Sequence, residues 1–289
     1  MPAPGPRTFK FGLIGYPLSH SFSPQIHTAA LKSCELDGDY SLFPIHPEDQ
    51  SGLKDLLSQV RSGEIHGLNV TIPHKQNVIP LLDELTLTAK AIGAVNTIYL
   101  REDQLIGDNT DAAGFLLDLK RFLATEPRRH GELRVLVLGA GGSARAIVYA
   151  LIQEGWNIAI AARRPEQAEQ LAASLQHEIQ ITNYELSNID LSNLSLIVNT
   201  TPLGMTPNIQ ASPWPENLSL PKGAAIYDLV YNPPETKLVK DARGQGRRAA
   251  TGLGMLIEQA ALAFEIWTGY HPSREILQSS LQQPLISNL

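Results

Sequence analysis

The sequence predicts an α/β protein in two parts, each built on a mainly parallel sheet. Three observations carry this. Short runs rich in Val, Ile and Leu alternate with longer helical patterns, the signature of parallel layers. A second strand–glycine–helix start opens at Leu133, after a stretch that already holds enough strands for a sheet of its own. The last helix, Met255 to Trp267, is apolar on more than one face, which predicts burial against the first part.

In order, the apolar runs predict strands at Phe11–Ile14, Tyr40–Pro44, Gly67–Ile72 and Ala94–Leu100, then at Arg134–Leu138, Asn157–Ala161, Leu194–Asn199 and Ala224–Leu229. Helical spacing predicts helices at Gln25–Ser33, Pro47–Ser62, Ala112–Ala124, Ser143–Glu154 and Glu166–Leu175. A hairpin should turn around Arg101 to Gln104. These elements suggest domains at 1–110 and 111–251, with a C-terminal helical segment at 252–289.

Composition narrows the class. Of 289 residues 43% are hydrophobic and 18% charged, against a usual ~25% charged, so a disordered chain is excluded. The net charge of −6 argues against nucleic-acid binding as the main task, which needs a basic footprint. The single cysteine, Cys34, forbids an intramolecular disulfide and a cysteine-cluster metal site, and fits a reducing compartment. No apolar run reaches the ~18 residues of a membrane span; Leu133–Ile152 is broken by Arg134 and Arg145. The start MPAPGPRTFK lacks an apolar core and predicts a loose Pro/Gly arm rather than a secretory signal.

In LRVLVLGAGGSARAIVYAL a strand leads into glycines and then a helix. Gly139 permits the tight turn, Gly141 lets backbone approach a pyrophosphate, and Ala144 takes the small position where helix meets strand. The helix N-terminus adds free N–H groups and a positive dipole end. The next strand ends in Ala162-Arg163-Arg164, about twenty residues on, where an acid would select NAD and an arginine suits a 2′-phosphate. Guanidinium groups match phosphate oxygens, which favours NADP; two solvated loop arginines are the plain alternative.

Ser21 and Ser23 in GYPLSHSFSPQIH can form a carboxylate cradle at a helix N-terminus, or Ser23 can be an ordinary N-cap with Pro24 at the first turn. In GLNVTIPHKQNV a strand ends, Pro73 opens a helix, and Lys75 falls in its first turn at a strand mouth, where α/β sheets place ligands. A lysine is otherwise a solvated surface residue. The hairpin register sets Asn96 opposite Asn109 and brings Asp111 near it; Asp111 is also a natural N-cap. His20, His27 and His74 lack metal-ligand spacing and read as satisfied structural histidines, and no metal is expected.

Taken together, GYPLSHSFSP, NVTIPHK, GAVNT, GDNTDAAGF, VLGAGGSARA, NTTPLGM, YDLVYNPPET and GLGMLIEQAALAFEIWTG, in this order over nearly the whole chain, resemble the shikimate/quinate dehydrogenase family. The resemblance implies an N-terminal α/β substrate domain, a Rossmann domain, and a C-terminal helix returning to the first. It implies NADPH-dependent reduction of 3-dehydroshikimate to shikimate on the route to chorismate and the aromatic amino acids. Lys75 and Asp111 would be the catalytic pair. Ser21, Ser23 and Tyr231 would hold the substrate carboxylate, and Thr71, Asn96 and Gln259 the ring hydroxyls. Gly139, Ala140, Gly141, Gly142, Ser143, Ala162, Arg163 and Arg164 would bind the cofactor, with Leu229 and Gly252 near its nicotinamide. The family often has Asn-Arg-Thr at 162–164 and Asn at Thr28, so this chain departs at both places. The implied partner is a small-molecule substrate, without nucleic acid or membrane, and the implied setting a cytoplasmic monomer or homodimer. The rivals are a quinate or quinate/shikimate dehydrogenase using NAD, and a non-catalytic NADP-binding regulator.

Overall fold

The computed structural model describes residues 8–124, 133–184, 186 and 189–281. Its contacts divide the chain into two compact units. The first runs to Lys90 and adds Ala94–Thr110 and everything from Ile257; the second is Ala91–Gly93 with Asp111–Leu256.

The first unit opens with β1 (Phe9–Gly15), α1 (Ser23–Ser33), β2 (Gly38–Pro44), α2 (Gln50–Arg61) and β3 (Gly67–Val70), then β4 (Glu84–Leu85), α3 (Leu87–Ile92), β5 (Thr97–Arg101) and β6 (Gln104–Asp108). The sheet order is β2-β1-β3-β5-β6-β4. β1 pairs in parallel with β2 and β3, while β5 runs antiparallel to both β3 and β6. The hairpin turns on Glu102 and Asp103, both at positive φ, as a tight two-residue turn between twisted strands requires. Leu53, Leu56, Leu57 and Val60 line one face of α2 and close over Ile14, Leu68, Val70 and Ile98. Asp49 caps α2 by accepting the Gly52 N–H at 2.8 Å, so the helix starts at Gln50 rather than Pro47.

The second unit holds α4 (Asp111–Leu123), β7 (Arg134–Leu138), α5 (Gly142–Gln153), β8 (Asn157–Ala161), α6 (Pro165–Leu175), β9 (Gln180–Thr182), β10 (Leu196–Asn199), β11 (Ala225–Asp228), α7 (Lys237–Gly244) and β12 (Ala249–Thr251). Its sheet is wholly parallel, in the order β12-β11-β10-β7-β8-β9. The chain winds outward from β7 in both directions, which is the Rossmann order with its switch point between β7 and β10. Buried on both faces, these strands read as unbroken apolar runs such as VLVL and LIVN.

The chain returns in α8 (Leu253–Thr268) and α9 (Arg274–Ser280). In the first unit, Trp267 of α8 stacks on Phe11 of β1 at 4.8 Å and donates from Nε1 to the Ile98 carbonyl at 3.2 Å. Gly67 makes this approach possible, because a Cβ there would lie 2.5 Å from the indole.

Three expectations need correction. Pro73 opens no helix: residues 72–78 are turns, with His74 N–H on the Thr71 carbonyl and Ile79 N–H on the Gln76 carbonyl, before a 3₁₀ turn at Ile79–Leu81. Pro80 would stand inside such a helix without an N–H to give. The N-cap of α1 is Phe22, and Ser23 is already its first residue. The predicted strands 67–72 and 94–100 are shorter, ending at Val70 and beginning at Thr97. Of the predicted N-terminal arm, residues 1–7 lie outside the described residues, and Phe9 and Lys10 belong to β1.

Candidate active site

In the first unit the chemistry collects where β1 and β3 end. Thr71 N–H donates to the Ile14 carbonyl at 2.8 Å and Tyr16 N–H to the Ile72 carbonyl at 2.9 Å, which ties the two strand mouths side by side. Ser21 and Ser23 follow β1. The backbone of Phe22 is helical (φ −88°, ψ −3°), so the serines do not alternate as in an extended chain. Instead the Ser21 hydroxyl accepts the Ser23 N–H at 3.2 Å, which leaves its own hydrogen to donate. Thr71 and Lys75 follow β3; Lys75 is only 8% exposed, unlike a solvated surface lysine.

Lys75 is bound into the sheet through its backbone, since its carbonyl accepts the Val95 N–H at 2.7 Å. This sets Asn96 alongside. The Asn96 amide is the hub of the unit: Oδ1 accepts the Thr110 N–H at 2.8 Å, and Nδ2 donates to Thr110 Oγ1 at 2.9 Å and to Gln259 Oε1 at 3.3 Å. Thr110 in turn donates to the Gln259 carbonyl on α8 at 3.0 Å. Thus Asn96, Thr110 and Gln259 form one buried network, and Asp111 is the next residue along the chain. Asp111 is itself buried, as the first residue of α4 in the second unit.

In the second unit the glycine loop leaves β7 with Gly139 at φ +109°, where a Cβ would also lie 2.7 Å from Thr200 Oγ1. Ala140 follows it. Gly141 caps α5, and a Cβ there would find no atom within 4 Å, which leaves open room for an approaching group. Gly142 and Ser143 form the first turn, and Ala144 is fully buried against the sheet. Ala162 is buried at the end of β8, while Arg163 and Arg164 stand exposed beyond it with no carboxylate paired to them among the described residues. The Arg163 charge acts on Tyr184, whose hydroxyl is raised by burial and only partly drawn back by the guanidinium. Switch point, open helix N-terminus and two guanidinium groups fit a dinucleotide with a 2′-phosphate.

Leu229 and Tyr231 follow β11. Gly252 lies against Leu229 so closely that a Cβ would sit 2.2 Å from the Leu229 carbonyl oxygen, so only glycine fits. The sequence reading missed Thr110, which connects Asn96 to α8, and the trio Asn199, Asp228 and Thr236. A lone carboxylate in the apolar run AIYDLV was the available sign of the trio.

The histidines divide. His74 is buried, with Nε2 2.7 Å from the Ile45 carbonyl oxygen, a structural role. His27 is buried too, yet among the described residues neither ring nitrogen finds a hydrogen-bond partner; its ring stacks on Tyr40 at 4.3 Å. Burial, the larger effect, lowers it to about 3, against the Asn69 side chain, which acts to raise it. Among the described residues no group of His, Cys, Asp or Glu could hold a metal, and no helix is long and apolar enough to cross a membrane.

Comparison with known proteins points to one family. The family model described as shikimate dehydrogenase substrate binding domain matches residues 13–98, that of shikimate / quinate 5-dehydrogenase residues 123–210, and that of the shikimate 5'-dehydrogenase C-terminal domain residues 252–282. The shikimate dehydrogenase (NADP(+)) of Bacillus licheniformis is 41% identical over 279 residues, covering 95% of this chain and 97% of that one. A crystal structure of a shikimate dehydrogenase in complex with NADP+ superposes with a TM-score of 0.86 at 38% identity, covering 95% of each chain. That of the Thermus thermophilus enzyme in complex with NADP(H) and shikimate gives 0.82 at 35% identity, covering 95% of this chain and 98% of that one. With such likeness over nearly its whole length, the chain belongs to the shikimate dehydrogenase family.

Proposed function

We propose that this chain catalyses the reversible NADPH-dependent reduction of 3-dehydroshikimate to shikimate, on the route to chorismate and the aromatic amino acids. The observation that carries the reading is a buried lysine, Lys75, at a strand mouth beside the Asn96–Thr110–Gln259 network that leads directly into Asp111.

NADPH, when bound, supplies the hydride. The ketone oxygen then becomes an alkoxide, and Lys75 gives it a proton from Nζ, or takes one back in the reverse direction. Asp111 orients the ammonium. The Ser21 and Ser23 hydroxyls and the Tyr231 phenol donate to the substrate carboxylate, while Thr71, Asn96 and Gln259 read the ring hydroxyls. In the Asn96 network the Nδ2 contact to Gln259 Oε1, at 3.3 Å, is longer than that to Thr110 Oγ1, at 2.9 Å. The Gly139–Ser143 loop holds the pyrophosphate, Arg163 and Arg164 beside Ala162 hold the 2′-phosphate, and Leu229 and Gly252 flank the nicotinamide. The molecule acts on a small substrate as a cytoplasmic monomer or homodimer, without nucleic acid, membrane or metal.

The deciding assay follows NADPH oxidation with 3-dehydroshikimate against 3-dehydroquinate, and repeats both with NADH. Preference for 3-dehydroshikimate and NADPH is expected. Preference for 3-dehydroquinate with NADH would replace this reading by a quinate dehydrogenase, and silence with all four pairs by a non-catalytic NADP-binding protein.

A further inference from the structure

The carboxylate of Asp228, at the end of β11, is fully buried, and among the described residues it has no cationic partner. Three donors converge on it. Oδ1 accepts from Asn199 Nδ2 at 2.8 Å and from the Val230 N–H at 3.0 Å, and Oδ2 accepts the Thr236 hydroxyl at 2.6 Å. The donors come from two stretches of chain, one at the end of β10 and one after β11. Asn199 ends β10 and, with its amide nitrogen committed to Asp228, turns its Oδ1 to Thr201, accepting the N–H at 2.9 Å and the hydroxyl at 2.7 Å. That fixes the turn after β10, whose Thr200 packs against Gly139. Val230 lies between Leu229 and Tyr231. Thr236 closes the same loop and caps α7 by accepting the Val239 N–H.

We propose that Asp228 is a positioning residue for the reaction: its carboxylate fastens the loop carrying Leu229 and Tyr231 to the loop after β10. The inference rests on the function proposed above, in which those two residues face nicotinamide and substrate carboxylate. Burying an unpaired charge is costly, and burial lifts this carboxyl to about 6, with the bonds from Thr236, Val230 and Asn199 drawing it back. An apolar residue would avoid that cost but would leave three donors facing nothing. A carboxylate has the acceptor capacity to serve all three at once.

The test compares Asp228→Ala, Asp228→Asn and Tyr231→Phe. In Asp228→Ala, kcat/KM for 3-dehydroshikimate should fall about 10- to 100-fold, as expected for displaced contact groups. Asp228→Asn should recover most of the loss, because its Oδ1 still accepts two N–H groups and its amide can donate to the Thr236 oxygen. Adding Tyr231→Phe to Asp228→Ala should cost little more, since the phenol is already misplaced. A merely structural role predicts full, multiplicative losses instead, and that result overturns the proposal. So does a folded Asp228→Ala enzyme within about twofold of the parent. Should Asp228→Ala not fold, Thr236→Val removes only the Oδ2 contact, and no loss of kcat/KM there is equally fatal. Hydrogen exchange of residues 200–206 and 229–236 gives a reading independent of turnover: both loops should loosen in Asp228→Ala and not in Asp228→Asn. If the parent protein fails to reduce 3-dehydroshikimate, the functional reading falls, and exchange still decides whether Asp228 fastens the loops.

Discussion

Arg163 and Arg164 sit just past β8 with no carboxylate paired to them among the described residues, and their meaning follows from two letters of sequence where an acid would have meant the other cofactor. A charge-assisted hydrogen bond to a phosphate contributes ~1.5–3 kcal/mol, so Arg163→Ala with Arg164→Ala should weaken NADPH by on the order of 10²–10⁴ and leave NADH nearly unchanged. Isothermal titration with both cofactors checks this; equal losses would move the 2′-phosphate contact elsewhere. The proton-transfer pair is tested in turnover. Lys75→Ala and Asp111→Ala should each slow the reaction by about 10²–10⁴, and the double variant should be little slower than the worse single one. Near-normal turnover in folded Lys75→Ala would point to Tyr231 as the next proton donor to examine. These residues were legible because each stands where an α/β strand ends, but their arrangement was not. The Ser21–Ser23 geometry turns on the helical backbone of Phe22, which no residue type there marks, and Thr110 is an ordinary threonine until Asn96 meets it through space.

At the scale of elements, legibility followed burial on both faces. The strands 134–138 and 157–161 were read with their true ends, because a parallel central strand is a pure apolar run between turn residues. β4 and β12, with two and three residues, carry too few side chains for any period to show. α7 was missed although Thr236 caps it and Leu238, Val239 and Ala242 mark its buried face, because eight residues after a double proline read as loop. Glycines separate packing from binding. Gly67→Ala would drive a Cβ to 2.5 Å from the Trp267 ring, a rigid group stacked on Phe11, and should cost about 1–3 kcal/mol in denaturant unfolding followed by tryptophan fluorescence. Gly141→Ala meets no atom within 4 Å and has an ordinary φ of −83°, so stability should hold while NADPH binding weakens about tenfold. A stable Gly67→Ala protein would mean that the indole yields, and unchanged NADPH affinity in Gly141→Ala would remove that glycine from the pyrophosphate site.

Across the whole molecule, acid should act on the two units with opposite sign. His27 belongs to the first unit and is held neutral by burial, its value lowered from 6.5 to about 3. Below pH 6.5 the unfolded chain binds a proton that the folded unit refuses, so the stability His27 leaves intact at neutral pH is lost as pH falls. Between pH 7 and 5 that amounts to about 2 kcal/mol. Asp228 belongs to the second unit and is raised from 3.8 to about 6. Here the folded unit binds the proton first, so stability rises as pH falls from 7 to 5, by about 1 kcal/mol. The burial of His27 could not be read from sequence, since a histidine after a helix start looks alike buried or exposed; for Asp228 the lone carboxylate in the apolar run AIYDLV was the one sign. The measurement is hydrogen exchange resolved by unit, because sub-global openings report local stability separately. Corrected for the intrinsic pH dependence of exchange, protection in β1 and β3 should drop at pH 5, while protection in β10 and β11 should rise. His27→Phe, which keeps a ring against Tyr40, should flatten the first trend, and Asp228→Asn the second. If both units shift in the same direction, or if the slopes survive these substitutions, other groups govern the response to acid.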